Sequence, residues 1–301
     1  MTTENINNID QYPDEINLKE IAQALFQSKF IIILFVVFFA IGSITYSLMA
    51  SEKWTSSALL LPVSAPSSGG SDSGIASLAG VKLSKGGAGT SSKASATIRS
   101  RDFLKHLLSF QGVLKNIMAF KEFDPETKSS IFSDEKLDPE TGNWNPDKIP
   151  TPNQVYLAYQ SMLEIKVDKL EGFVTISIRH GSPIFAKEFL ELIITEINNL
   201  SRQRDLDESE ESLVYLYNQL DSVQQSDVQL AVSQLIESQL KKQMMANVKR
   251  NYILQPIDSP FIPELRTSPQ RTKIVMTWTL IGFILSIIFV IFRHYSSKFL
   301  K

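Results

Sequence analysis

Two uncharged apolar runs lie near the ends of the chain, and a more polar region separates them. Residues 30–49 and 274–292 contain no acidic or basic side chain. Because a helix rises about 1.5 Å per residue, about 20 residues cross the ~30 Å core of a bilayer. The pattern predicts two transmembrane helices, with tails at 1–29 and 293–301 on one side of the membrane and residues 50–273 on the other.

The apolar runs allow two other interpretations, and both fit less well. Buried helices of a globular protein are one alternative. A secretory signal peptide is the other, but the first run is longer than a typical signal and 29 residues precede it. Basic residues within about 15 positions of the runs favour cytoplasmic tails by five to four under the positive-inside rule. Those on the tail side are Lys19, Lys29, Arg293, Lys298 and Lys301, and those on the other side are Lys53, Arg266, Arg271 and Lys273.

A small β-sheet is predicted in the region between the runs. Residues 53–62 begin with aromatic and β-branched side chains and end at a proline, which is typical of a strand. Residues 173–179 alternate apolar and polar side chains, and a turn at 171–172 pairs them with residues 163–167. Residues 251–257 are predicted to form a strand that returns to the same sheet.

Three other segments are predicted to lack helix and strand. Residues 64–97 are rich in Ser, Gly and Ala, so few large side chains are available for burial and we expect a mobile loop. Residues 124–153 contain five prolines and are interpreted as an irregular excursion. Four prolines within residues 256–269 predict an extended, semi-rigid strut that leads to the second apolar run.

A long antiparallel helical hairpin is predicted over residues of about 183–250. Ser182 is a suitable N-cap and Pro183 a suitable first helical residue, and neither Gly nor Pro follows up to about residue 224. The apolar phase changes near 225–227, and the second limb then repeats apolar side chains every four residues. A thin hairpin cannot bury its stripe well, so we predict that copies of the chain assemble through it into a ring. The predicted contact residues are Leu213, Leu216, Leu220, Val223, Val232, Ile236 and Leu240.

Small residues spaced four apart mark one stripe on each apolar run. Ser43 and Ser47 form such a pair in the first run, and Gly282 and Ser286 form one in the second. Small side chains let helix backbones approach closely in lipid, so we predict that the runs pack on each other or on a membrane partner through these residues. The alternative is that they simply interrupt an apolar run.

The composition fits a folded protein and limits its chemistry. Of 301 residues, 43% are hydrophobic and 21% charged, and the net charge of −2 gives no general basic surface for nucleic acid. With no cysteine and three histidines, thiolate chemistry is excluded and a histidine-built metal site is disfavoured. Residues 86–93 lack the spacing of a phosphate-binding loop. The acids within 205–211 are interpreted as a solvated helix face, with a calcium site as the alternative. We predict no catalytic residue, cofactor or metal ion.

The order of several short segments resembles that of the Wzz-type chain-length determinants, the class 1 polysaccharide co-polymerases of bacterial inner membranes. One difference is Gln270, a position where that family often has lysine. The segments that carry the resemblance are Asp14–Leu18, Lys53–Ser56, Ser100–Leu104, Ile197–Leu200, Pro256–Pro269 and Ser268–Arg271.

The resemblance implies both a fold and a role. It implies an α+β periplasmic domain, with a small α/β base and a long antiparallel helical hairpin, between two terminal transmembrane helices. It implies a non-enzymatic protein of the inner membrane, with both termini cytoplasmic, that forms homo-oligomeric rings. Such a ring regulates the chain length of lipopolysaccharide O-antigen or a related surface polysaccharide. The implied partners are a Wzy-type polymerase, the undecaprenyl-linked polysaccharide and membrane lipid. A scaffold adaptor of another envelope export pathway, and an enzyme acting on periplasmic glycans, remain as alternatives.

Overall fold

The chain contains two compact units. The structure is a computed structural model that describes residues 25–63, 88–168, 170–222 and 225–299. Glu52–Thr267 forms one unit, and the terminal segments up to Ser51 and from Ser268 form the other. The elements in chain order are α1 (Lys29–Met49), β1 (Trp54–Pro62), α2 (Ala88–Ile98), α3 (Arg101–Leu107), α4 (Val113–Ala119), β2 (Phe120–Asp124), β3 (Ser129–Phe132), α5 (Pro152–Met162), β4 (Leu163–Val167), β5 (Val174–His180), α6 (Pro183–Ser222), α7 (Ser226–Val248), β6 (Leu254–Asp258) and α8 (Arg271–Phe299).

An antiparallel sheet with the order β4-β5-β1-β6 forms the base of the larger unit. Its first and last strands along the chain, β1 and β6, are neighbours. Alternate side chains of β1 and β5 point to the covered face, where Leu60, Ile176 and Ile178 are fully buried. The predicted α+β fold, with a small sheet base and a helical hairpin between two terminal apolar helices, is therefore confirmed.

Helix α6 lies on the covered face of the sheet and then continues into the hairpin. It begins where the Ser182 hydroxyl accepts a hydrogen bond from the Phe185 amide at 3.3 Å, followed by proline at the first position. Ile193 and Ile197 are fully buried in the core, and Phe189 is nearly so. Burial of each such side chain contributes about 1.5–3 kcal/mol, so these residues anchor the helix to the sheet.

Asn198 joins α6 to the strand that follows the hairpin. Its side-chain oxygen accepts hydrogen bonds from the Ile253 and Leu254 amides at 2.8 and 3.0 Å. Its amide nitrogen donates to the carbonyls of Leu254 and Ile194 at 3.0 and 2.9 Å. The side chain is 3% exposed, so it satisfies buried backbone groups that would each cost about 1–3 kcal/mol if left unpaired.

The prediction of a loop over residues 64–97 is wrong for its last part. Helix α2 begins at Ala88, and Ala94 and Ile98 are fully buried in the core. The Ser91 hydroxyl also donates to the Gly172 carbonyl at 2.6 Å. Small side chains give little hydrophobic signal, but they let a helix pack closely, and this tertiary packing overrides the composition. Residues 64–87 lie outside the described part of the chain.

The segment interpreted as an irregular excursion also contains regular structure. Strands β2 and β3 form a two-stranded antiparallel hairpin, with Asp124 opposite Ser129. Helix α5 begins at Pro152, near the end of this segment, with a capping box in which Thr151 and Gln154 bond each other's backbone amides. The cap is a readable sequence signal, because a threonine stands three residues before a glutamine and is followed by proline.

His180 is a buried histidine that fastens the end of β5 to its neighbours. Its Nε2–H donates to the Asn116 carbonyl, and its Nδ1 accepts from the Ser182 amide, both at 3.0 Å. The rings of Phe120 and Phe185 contact it edge to face, with centroids 4.5 and 4.6 Å away. Burial lowers the pKa of His180 from 6.5 to about 4, so the neutral ring is the folded form.

We predict that His180 makes stability depend on pH between about 6.5 and 4. The unfolded chain takes up a proton below pH 6.5, whereas the folded chain resists it until about pH 4. Stability should therefore fall by about 3 kcal/mol as the pH drops through this window. In His180→Gln, denaturant unfolding of the full chain should lose this component of the slope. An equal fall in the variant and the unchanged protein would contradict the prediction.

Candidate interaction surfaces of the hairpin and the apolar helices

The hairpin is held together by a short apolar seam between α6 and α7. Leu213, Val232 and Ile236 are each less than a tenth exposed and contact one another as one cluster. Leu216 and Leu220 pack against this cluster and are partly buried. Five of the seven residues predicted to join copies of the chain therefore meet within a single chain. The opposite limb therefore covers much of the stripe that was expected to need a neighbour, and contact of these residues with a second copy stays a prediction.

Polar contacts continue the seam toward the base. The Ser209 hydroxyl, which is fully buried, donates to the Gln239 carbonyl at 3.0 Å. The Lys242 ammonium lies 3.4 Å from the Asp205 carboxylate, and the Tyr252 hydroxyl donates to Asp205 at 2.7 Å. Partial burial and the Asp205 carboxylate raise the pKa of Tyr252, so its hydroxyl stays protonated as a donor. At least one of the acids assigned to a solvated face, Asp205, is therefore structural.

The apolar stripe of α7 turns out of the seam along the helix. Exposure rises from 9% at Val232 to 40% at Leu240, 66% at Met244 and 83% at Val248. The cause is the four-residue repeat, which drifts around a helix of 3.6 residues per turn. Leu240 is therefore the one predicted contact residue that the described chain leaves exposed, and Val223 lies outside the described residues. Sequence reasoning passed over Met244 and Val248 as contact candidates, although the same drift identifies them.

We predict that two charge substitutions in the hairpin affect different properties, one the stability of the fold and the other the oligomer. Leu213→Asp buries a carboxylate in the seam, so it should lower the stability of the fold by a few kcal/mol. Leu240→Asp changes an exposed position, so the fold should unfold at nearly the original temperature while the oligomer weakens. Thermal unfolding and light scattering of the full chain in detergent measure the two effects. Equal unfolding temperatures for both variants would contradict the assignment of the seam.

The two apolar helices pack on each other through the predicted small residues. Ser43, Ser47 and Ser286 are each at most 4% exposed, and Gly282 is buried as well. Most of the remaining surface of α1 and α8 is open, since only 11% and 17% of their apolar windows are buried. A core helix of a soluble protein would be mostly buried, so this distribution is compatible with a two-pass membrane protein.

Gly282 is the point of closest approach between these helices. A Cβ atom at this position would lie 2.7 Å from the Cβ of Phe39, which is attached directly to the backbone and cannot turn away. Ring stacking flanks the contact, with centroids 5.3 Å apart for Phe35 and Phe289 and 6.5 Å apart for Phe39 and Trp278. Any larger side chain at 282 must therefore push the helices apart.

We predict that Gly282→Leu separates α1 from α8, whereas Gly42→Leu does not. Gly42 is the matched control, because nothing lies within 4 Å of the Cβ that it lacks. The chain has no cysteine, so a Phe35→Cys, Phe289→Cys pair can report the helix contact by disulfide cross-linking. Cross-linking should fall sharply with Gly282→Leu and stay near the original level with Gly42→Leu. Equal yields would show that close packing at Gly282 is not required.

The open face of the sheet carries a shallow polar depression. Its volume is about 290 Å³. Glu164 lies 2.8 Å from Lys166 and 3.8 Å from Arg179, and Lys166 in particular lowers the pKa of the Glu164 carboxyl. Among the residues that the structure describes, no three His, Asp or Glu side chains converge as metal ligands would. The depression therefore offers exposed ion pairs and hydroxyls. It is lined by Thr55, Ser161, Met162, Leu163, Glu164, Ser177 and Arg179.

Comparison with known families supports the resemblance seen in the sequence. Residues 14–109 match the family model described as chain length determinant protein, Wzz. This segment includes α1, β1, α2 and α3. The resemblance to that family is therefore confirmed over this part of the chain. No match was found among curated proteins.

Two solved structures are similar to the chain at low sequence identity. A full-length bacterial polysaccharide co-polymerase aligns with a TM-score of 0.38 and 16% identity, over 94% of this chain and 99% of that one. A fragment of WzzB, a polysaccharide co-polymerase from Salmonella Typhimurium, aligns with a TM-score of 0.29 and 15% identity, over 72% of this chain and 100% of that one. Both TM-scores are low, so the fold described above rests on this chain's own strands, helices and hydrogen bonds.

Proposed function

We propose that this protein is a polysaccharide co-polymerase that regulates the length of a bacterial surface polysaccharide without catalysing its synthesis. The match of residues 14–109 to the chain length determinant family is the observation that carries the proposal. The architecture supports it, because one folded unit stands between two helices long and apolar enough to span a membrane.

The protein sits in the bacterial inner membrane, with the folded unit in the periplasm and both termini in the cytoplasm. The small excess of basic residues on the tail side supports this orientation. Its partner is a Wzy-type polymerase, which extends O-antigen or a related polymer on an undecaprenyl carrier. The protein changes when that polymerase releases its product, and it makes or breaks no glycosidic bond itself.

Copies of the chain assemble into a ring, with the hairpin contributing contacts between neighbours. The exposed stripe formed by Leu240, Met244 and Val248 supports this part of the proposal, because the chain itself leaves these side chains uncovered. The buried seam and the hydrogen bond from Ser209 to the Gln239 carbonyl hold α7 against α6, so that the stripe is presented on a packed helix. A rigid ring can hold several growing chains or polymerases at a defined spacing.

The chemistry of the depression on the sheet does not fit glycoside hydrolysis. Glycoside hydrolysis uses two carboxyl groups on either side of a sugar, one of them with a raised pKa. In the depression on the sheet, Glu164 is the one carboxylate among the lining residues, and its pKa is lowered by neighbouring cations. A lowered pKa makes a carboxyl a poor proton donor at neutral pH.

The proposal predicts a change in polymer length, without loss of polymer, when the gene is deleted. Surface polysaccharide from deleted, wild-type and complemented cells is sized on a gel. Deletion should replace a distribution centred on a preferred length with one that lacks a preferred length, and complementation should restore it. An unchanged distribution would contradict the proposal. Complete loss of surface polymer would instead favour a scaffold of the export pathway.

A further inference from the structure

A short segment near the end of the larger unit exposes several apolar side chains together. We call residues 259–267 the basal loop. Within five residues, Phe261 is 49% exposed, Ile262 50% and Leu265 83%. Single exposed apolar residues are common on protein surfaces, but a group of three large ones on one short loop marks an interaction site.

The basal loop is fixed in place along the first part of β1. The Ser56 hydroxyl donates to the Phe261 carbonyl at 2.8 Å. The Thr267 amide donates to the Lys53 carbonyl at 2.8 Å. The guanidinium of Arg266 also pairs with the Glu52 carboxylate. The loop therefore lies beside the first residues of this unit, and its apolar side chains are displayed on an ordered backbone.

Short chain segments link the residues that hold this loop to both apolar helices. Glu52 follows Met49, the last residue of α1, by three positions, and Thr267 precedes Arg271, the first residue of α8, by four. A fully extended residue spans at most about 3.6 Å, so these links reach no farther than ~11 and ~14 Å. The interfacial region outside the hydrocarbon core is about 5–8 Å thick on each side of a bilayer. If α1 and α8 span the membrane, these links hold Glu52 and Thr267, and with Thr267 the neighbouring Leu265, near its surface.

We propose that the basal loop docks onto the lipid surface, with Phe261, Ile262 and Leu265 inserted among the lipid headgroups. Pro260 and Pro263 carry no amide hydrogen, so this backbone has fewer donors to leave unpaired on leaving water. The exposed Lys53 stands beside the loop and suits the lipid phosphates. This proposal rests on α1 and α8 spanning a bilayer, and it does not depend on the role in polymer length.

The absence of cysteine allows a direct test with single labels on the full chain in liposomes. Leu265→Cys and Leu230→Cys each carry an environment-sensitive fluorophore. Leu230 is the control, because it is apolar, 63% exposed and not one of the residues proposed to join copies of the chain. It lies in the first turns of α7, near the turn of the hairpin. Quenching is measured with spin-labelled lipid and, separately, with iodide in the aqueous phase.

The proposal expects the label at 265 to lose most of its emission with spin-labelled lipid and to resist iodide. The label at 230 should be quenched by iodide and should keep most of its emission with spin-labelled lipid. Quenching of 265 by iodide alone would overturn the proposal, and so would protection of 265 from both quenchers, because another protein surface would then cover it. A third label at Phe283→Cys, on the exposed side of α8, separates the two levels of failure. If 283 is quenched by lipid and 265 is not, the helices span the bilayer and the loop does not dock.

Discussion

The structure depends on one constraint, which is that the chain must return to the place where the larger unit begins. The fold meets this constraint by making β1 and β6, the first and last strands of the larger unit, neighbours in the sheet. The Lys53 carbonyl and the Thr267 amide then close the unit at its two ends. The helices that continue from these ends pack closely at Gly282, where any side chain would meet Phe39.

The position of the hairpin follows from the same base. Helix α6 is continuous from the buried Phe189 on the sheet to the seam residue Leu213, so the limb cannot move independently of the core. Asn198 bonds the strand that returns from the hairpin, and Asp205 bonds Tyr252 just above it. Both limbs are therefore held where they leave the base. A rigid projection of this kind suits a protein that acts by presenting a surface to copies of itself or to an enzyme.

Sequence periodicity predicted those elements whose apolar residues are large and regularly spaced. The terminal helices, the β4–β5 pair and the hairpin belong to this group, and the structure has all of them. Helix α2 was missed because its buried face consists of Ser, Ala and one isoleucine, which give little periodic signal.

The hairpin shows a second limit of prediction from sequence periodicity. The spacing of Leu213 and Val232 shows that one face is apolar, but spacing cannot tell whether the same chain or a neighbour covers that face. The sequence showed the small residues on both apolar helices, which are Ser43, Ser47, Gly282 and Ser286. The contact of Gly282 with Phe39 could not be predicted, because it depends on how the two helices are rotated about their axes.

The central claim is that this protein sets the length of a polymer that another enzyme makes. Reconstitution tests it most directly, with a Wzy-type polymerase and undecaprenyl-linked repeat units in liposomes, and with or without the full chain. A polymerase that releases its product at random gives a distribution that falls steadily with length. Addition of this protein should convert that distribution into one with a preferred length, while the total amount of sugar polymerised changes little. An identical falling distribution with and without the protein, or polymer shortened after synthesis has stopped, would contradict the account.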